Sequence, residues 1–225
     1  MIVSAAISRI NYVLRGTDED APESGTDEWN YWVDTLNRKK DELYRDVSKQ
    51  WRSSYDVESL GTVTANATPS YNLPTTFLGA SSYVYVVTTD GNRHDFEICQ
   101  PQERDSRKQQ VFIAGMNPQV LYFTDEILAT DQIVGGTLYM PGYYLPADMT
   151  TGTDTLPVDD PNWLCAAGAA EIAFNDLVYE DKATDLNAKA NNLYSLMVKN
   201  NARGTYANPR NRRDSIPTNL RRSRY

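Results

Sequence analysis

The stretch 159-DDPNWLCAAGAAEIAFNDLVYE-180 decides the fold reading, because it joins a helix start to a surface suited to close packing. Asp160 is an N-cap residue, and Pro161 takes the first helical position, where its missing N–H would have had no partner anyway. Ala166, Ala169, Ala170 and Ala173 then offer a side that another backbone can approach closely. Glu171, Asn175 and Asp176 interrupt the run too early for membrane packing. The spacing therefore predicts a tightly packed helix over 161–180 inside a folded helical body.

Toward the C-terminus, Leu186, Ala190, Leu193 and Met197 share a face, and Tyr194, Leu196 and Val198 broaden it. This predicts a last helix over 184–200, stopped by Gly204. At the other end, Ile2, Ala6, Ile10, Val13 and Leu14 recur at helical spacing up to Gly16, predicting a short first helix. The acidic segment 16-GTDEDAPESGTDE-28 lacks the alternating ligand spacing of a calcium loop and reads as a solvated loop. Thr26 then caps a long helix to about Trp51. Its apolar stripe is Trp29, Trp32, Val33, Leu36, Leu43, Tyr44, Val47 and Trp51, broken at Lys40. Tryptophans on such a stripe read as core, not as a sugar platform.

Between these helical ends the texture changes to short β-branched and aromatic runs: SLGTVTA, SYVYVVTT, HDFEICQ, QVFIAG, QVLYFT and GGTLYMPGYY. TDGNR supplies a hairpin signal, YNLPTTFLGASS puts Leu73-Pro74 ahead of a short turn or helical corner, and PQERDSRKQQ reads as a long hairpin loop. The fold class is α+β: a helical bundle built from both chain ends, an inserted small antiparallel β domain, and an extended C-terminal arm. Its parts are 1–56 and 151–202 for the helical body, 57–150 for the β domain and 203–225 for the arm.

Composition narrows the function. The chain has 225 residues, 40% hydrophobic and 23% charged, as expected of a globular protein with no transmembrane segment. Its single histidine, His94, sits in a turn-like segment and has no nucleophile beside it. Cys99 and Cys165 read as two isolated buried thiols. No phosphate loop, nucleophile elbow, dinucleotide fingerprint or zinc-protease motif is present, and the paired acids fall where caps and loops account for them. The expectation is a protein that is not an enzyme and has no cofactor and no metal.

The end of the chain, 204-GTYANPRNRRDSIPTNLRRSRY-225, departs from this acidic background. From Arg203 onward, seven arginines face one acid, Asp214, so the segment carries about +6 and the remainder about −14 of the net −8. Its few large apolar groups cannot offset its chain entropy, so it needs a partner to order it.

The layout ISRINYVL, DEWNYWVDTLNRKKDELYRDV, a β insertion opening with YNLPTTFL and closing with GTLYMPGYYLP, and then DDPNWLCAAGAAEIAFNDLVYEDKATDLNAKANNLYSLM resembles head-to-tail adaptor (connector) proteins of tailed bacteriophages. The resemblance implies a ring of twelve copies in the virion neck, assembled in the host cytoplasm and bound to the portal above and to tail or nozzle proteins below. Genomic DNA would pass through without specific binding. It also implies a portal-docking role for the arm residues Arg203, Tyr206, Arg210, Arg212, Arg213, Ile216, Leu220, Arg221, Arg222, Arg224 and Tyr225, whose guanidinium groups suit carboxylates on a partner. Two rival readings remain: nucleic-acid binding by the arginine-rich tail, and a carbohydrate- or receptor-binding module suggested by fifteen tyrosines and four tryptophans.

Overall fold

The computed structural model describes residues 1–17, 19–46, 50–103, 110–116 and 118–207, with side chains as far as Asn201. The chain divides into two units, Met1–Lys40 with Asp148–Tyr225, and Asp41–Ala147. Among the described residues are four α-helices and two antiparallel sheets, so the fold is mixed helix and sheet of the α+β kind.

In the first unit, α1 (Val3–Arg15) ends where Gly16 adopts φ 77° and returns its N–H to the Tyr12 carbonyl, a left-handed close that glycine accepts without strain. Helix α2 (Asp27–Arg45) starts as expected: the Thr26 hydroxyl accepts the Trp29 N–H at 3.2 Å. It stops earlier than the apolar stripe suggested. Gln50 sits at φ 45°, and Trp51 folds back so that its indole N–H donates to the Leu43 carbonyl at 3.0 Å, supplying a donor to the end of the helix. The expected continuation over 47–49 lies outside the described residues.

Helix α3 (Pro161–Asn175) begins as the sequence required, with Asp160 accepting the Asn162 N–H. Nearly every residue from Trp163 to Ala173 is buried, so this helix is apolar around its whole circumference. It ends at Asn175 and not at Glu180. The Asp176 carboxylate accepts the Val178 N–H at 2.9 Å and its carbonyl accepts that of Tyr179, which turns the chain into α4 (Glu180–Ala207). That helix passes through Gly204, because a glycine inside a long helix costs only about 1 kcal/mol and terminates it only when the chain goes left-handed. The backbone of Arg203 and Tyr206 is therefore helical, not the start of an extended arm. Leu196, expected on the apolar side of α4, is exposed.

The start of α1 is held by the segment leading into α3. Val3 N–H donates to Asp154 O at 2.9 Å, Ser4 N–H to Gly152 O at 3.0 Å, and Leu156 N–H to Met1 O at 2.9 Å. That segment is in turn set by the Asp154 carboxylate, which accepts the backbone N–H groups of Thr150 and Thr151, each at 2.7 Å.

In the second unit, the five-stranded sheet runs β1 (Tyr55–Thr62), β8 (Thr137–Tyr144), β4 (Tyr83–Val87), β5 (Arg93–Glu97), with β3 (Phe77–Ala80) also paired to β8. The three-stranded sheet runs β2 (Ser70–Asn72), β7 (Val120–Phe123), β6 (Val111–Ala114). Val84, Val86, Leu138 and Met140 from the first sheet join Val111, Leu121 and Phe123 from the second in one core. The short turn expected after Leu73-Pro74 is present, with Phe77 N–H donating to Pro74 O. The strands on either side of it, β2 and β3, were not expected. Close approach makes β3 possible, since a Cβ on Gly142 would lie 2.8 Å from the Gly79 carbonyl oxygen. His94 lies within β5, half-buried and opposite Val86, not in an exposed turn.

Two outcomes follow. A Cβ on Gly168 would meet Leu36 Cδ2 at 2.8 Å, a flexible side-chain tip. Gly168→Ala is expected to be nearly neutral, whereas Gly168→Val should lower stability by about 1–3 kcal/mol in urea unfolding. The second concerns acid. Backbone hydrogen bonds from Thr151 and Thr150 hold the Asp154 carboxyl down at about 2, against an ordinary 3.8. Its folded pKa is depressed, so its contribution is fully present above about pH 4 and is lost as pH falls toward 2. NMR titration should show the Val3, Thr150 and Thr151 amides losing exchange protection across that window, and Asp154→Asn should abolish the dependence.

Candidate functional site

Of the eleven arm residues, Arg203 and Tyr206 fall on the last turns of α4, with only their backbone described. Arg210, Arg212, Arg213, Ile216, Leu220, Arg221, Arg222, Arg224 and Tyr225 lie outside the described residues. The arm's first residues thus continue the backbone of α4.

The surfaces of the two units limit what else the chain can do. Its four tryptophans, Trp29, Trp32, Trp51 and Trp163, are all buried. Tyrosines instead line the outer side of the five-stranded sheet, where a cross-strand ladder uses up their ring faces. Tyr85 stacks on Tyr139 with centroids 5.3 Å apart and planes 22° apart, and the Arg93 guanidinium lies 3.8 Å over Tyr85 on the opposite side. Asp95 fixes that guanidinium through Nε at 2.6 Å and, with Tyr83, raises its pKa. A sugar needs an open aromatic face, and this ladder offers its edges. Elsewhere in the second unit, Phe96, Phe123, Ile127 and Ile133 line a hollow shared with Asp95, Asp125, Glu126 and Asp131. That rim disfavours phosphate.

No group of three or more His, Cys, Asp or Glu is placed to hold a metal ion among the described residues. None of the described helices is long and apolar enough to cross a membrane. Cys99 and Cys165 are both buried and neither is in a disulfide, and burial pushes the Cys165 thiol up to about 11, away from the reactive thiolate.

Two features of the first unit are not apparent from periodicity or motif. The first is a clasp. The Lys40 side chain is fully buried and its Nζ meets Asp148 Oδ1 at 2.6 Å. One turn earlier on α2, Asn37 donates to the Met149 carbonyl and accepts the Met149 N–H, both at 2.9 Å. Lys40 and Asp148 are the last and first residues of the unit on either side of the inserted segment, so the clasp holds the two ends of that insertion together. The break in the apolar stripe at Lys40 is its only trace in the sequence.

The second is an exposed apolar corner between α3 and α4, at Phe174, Leu177 and Val178. Beside it Arg15 ties three elements together: it bonds Glu28, donates to the Tyr179 hydroxyl at 3.1 Å and to the Asp20 carbonyl at 2.7 Å, and lies 5.5 Å from the Trp32 ring centroid. Burial opposes the Arg15 charge, but Tyr179 and Glu28 outweigh it and raise its pKa. On α3, Glu171 pairs with both Arg38 and Lys39 of α2. These contacts brace the base of the corner and leave its apolar tip open.

The family model described as SU10 adaptor protein matches residues 3–222. The chain belongs to the SU10 adaptor protein family. That makes it a phage adaptor, a structural protein of the virion neck and not a member of an enzyme family, and it bears out the resemblance to head-to-tail adaptors. The match takes in most of the arginine-rich segment of the adaptor as well as its folded body. No curated protein matches the adaptor.

The clasp generates a test. Removing Asp148 takes a partner from a buried cation, whereas removing Lys40 leaves an exposed carboxylate that water can solvate. Asp148→Ala should therefore cost on the order of 2 kcal/mol in urea unfolding, and Lys40→Met clearly less. The opposite ranking would show that the ion pair does not set the energetics at this point.

Proposed function

We propose that this adaptor closes into a ring of twelve copies between the portal and the tail proteins, surrounds the path of the exiting DNA, and grips the portal with residues 208–225. The observation that carries this reading is the family match itself, which runs to residue 222 and so includes the arginine segment.

Charge supports the division of labour. A body of about −14 repels a DNA duplex, which suits a channel through which DNA slides without sticking. The segment of opposite sign is suited to carboxylates on a protein partner, where guanidinium groups form forked, charge-assisted hydrogen bonds. One such segment gives up chain entropy on ordering and binds weakly alone. Many presented together by a ring bind by avidity.

Electron microscopy of the native particle tests the ring and its place: density for this chain is expected at the neck, and density elsewhere would overturn the reading. Truncation after Ala207 tests the segment. It should leave the folded body intact, since the described core residues of both units lie upstream, while binding to portal falls sharply. Replacing Arg210, Arg212, Arg213, Arg221, Arg222 and Arg224 with glutamine separates charge from the apolar anchors Ile216, Leu220 and Tyr225. If truncation abolished DNA binding and left portal attachment normal, the nucleic-acid reading would replace this one.

A further inference from the structure

The hollow in the second unit combines room, an apolar floor and an acidic rim. Its volume is about 680 Å³, the size of pockets that bury a ligand of several side chains' bulk. Buried Phe123 and Ile127 and half-buried Phe96 and Ile133 form the floor, and Leu128 stands 51% exposed beside them. The lining is preformed. Phe96 and Phe123 meet edge to face with centroids 5.2 Å apart, Ile127 exchanges two backbone hydrogen bonds with Asn66, each at 2.9 Å, and Asp131 accepts the Leu128 N–H at 2.7 Å. Around it stand the carboxylates of Asp95, Asp125, Glu126 and Asp131, against one guanidinium, that of Arg93, which Asp95 already holds. Gln110 also lines the hollow, and its buried Oε1 has no hydrogen-bond partner among the described residues. The occupant that suits this lining brings several cations, N–H donors and aliphatic side chains together.

We infer that the hollow is the docking site of the chain's own arginine segment, residues 208–225, in copies that have not reached the portal. Charge complementarity selects this occupant. The segment 208-NPRNRRDSIPTNLRRSRY-225 sets six arginines against Asp214 and interleaves them with Ile216, Leu220 and Tyr225, so cations for the rim and apolar groups for the floor arrive in one piece. Pro209 and Pro217 lack an N–H and favour extended chain, a form that lies along a groove. Fully extended, residues 208–225 cover on the order of 60 Å, so reach does not limit the contact. Nucleic acid is turned away by the same carboxylates that attract the arginines. Docking therefore keeps the segment from phosphates that would otherwise bind it. The later hand-over of the segment to carboxylates on the portal rests on the portal reading, whereas the docking itself does not.

Photocrosslinking in the full chain tests this. With Leu220 replaced by benzoylphenylalanine, irradiation of the free protein should join residue 220 to peptides covering 93–96 and 123–133, as read by mass spectrometry. Glu126→Arg with Gln132→Arg reverses charge at exposed rim positions and should cut that yield about tenfold or more. Asp185→Arg with Asn187→Arg makes the same change in charge at exposed positions of α4 and should leave the yield within about twofold, since only the local field at the hollow matters. Crosslinks spread over other surfaces, or an equal loss in both pairs, would mean diffuse attraction to an acidic body and would overturn the inference. As a second arm, replacing the six arginines with glutamine in the full chain should speed hydrogen exchange of the amides over 125–133 several-fold. Unchanged exchange would equally overturn it. Portal binding that is lost on truncation, with no crosslink in the hollow of the free protein, would remove this proposal and leave the portal reading standing. A crosslink in the hollow, with portal binding unaffected by truncation, would do the reverse.

Discussion

The structure depends on the clasp at which the inserted segment leaves and rejoins the helical unit. A chain that departs after Lys40 and returns at Asp148 must close a loop of over a hundred residues, and the entropy of that closure has to be offset locally. Asn37 does so with a reciprocal pair of hydrogen bonds to Met149, and Lys40 with a buried ammonium held by Asp148. A hydrophobic pair would bury as much area but would accept many registers. An amide bonded both ways to one peptide group, next to one carboxylate, accepts very few. The clasp thus fixes where Leu156, Val158 and the start of α3 arrive, and with them the strap of backbone hydrogen bonds that secures α1.

Much of this is legible in the sequence where the local rule and the tertiary demand agree. Asp160-Pro161 begins α3, Thr26 begins α2 and Gly16 ends α1 because each residue satisfies orphan backbone groups by itself. The strands β4, β6, β7 and β8 can be read because alternating or β-branched runs bury one face. Features set by distant partners stay hidden. β3 exists because Gly142, lacking a side chain, lets the Gly79 carbonyl come close, a pairing across sixty-odd residues. The stop of α2 depends on Trp51 returning to Leu43, which periodicity reads instead as one more turn of helix.

The candidate site divides in the same way. Charge segregation is a property of composition, so the arginine segment stands out from its count of charges alone. The apolar corner does not, since Leu177 and Val178 read as the last turn of a buried helix, and only the hydrogen bonds of Asp176 break that turn. Lys40 looks like an interruption of a core stripe and is in fact part of the core, because its partner lies more than a hundred residues away.

In the proposed assembly the joint to the portal is electrostatic, and that character has a use. A joint made by arginines and carboxylates forms quickly, tolerates imprecise approach and weakens with salt. One arginine segment alone gives up chain entropy and is held loosely, whereas copies already side by side present many segments at once. Charge would therefore recruit copies singly and reversibly, and the joint would become lasting only as their number grows, an order that follows from range and valency alone.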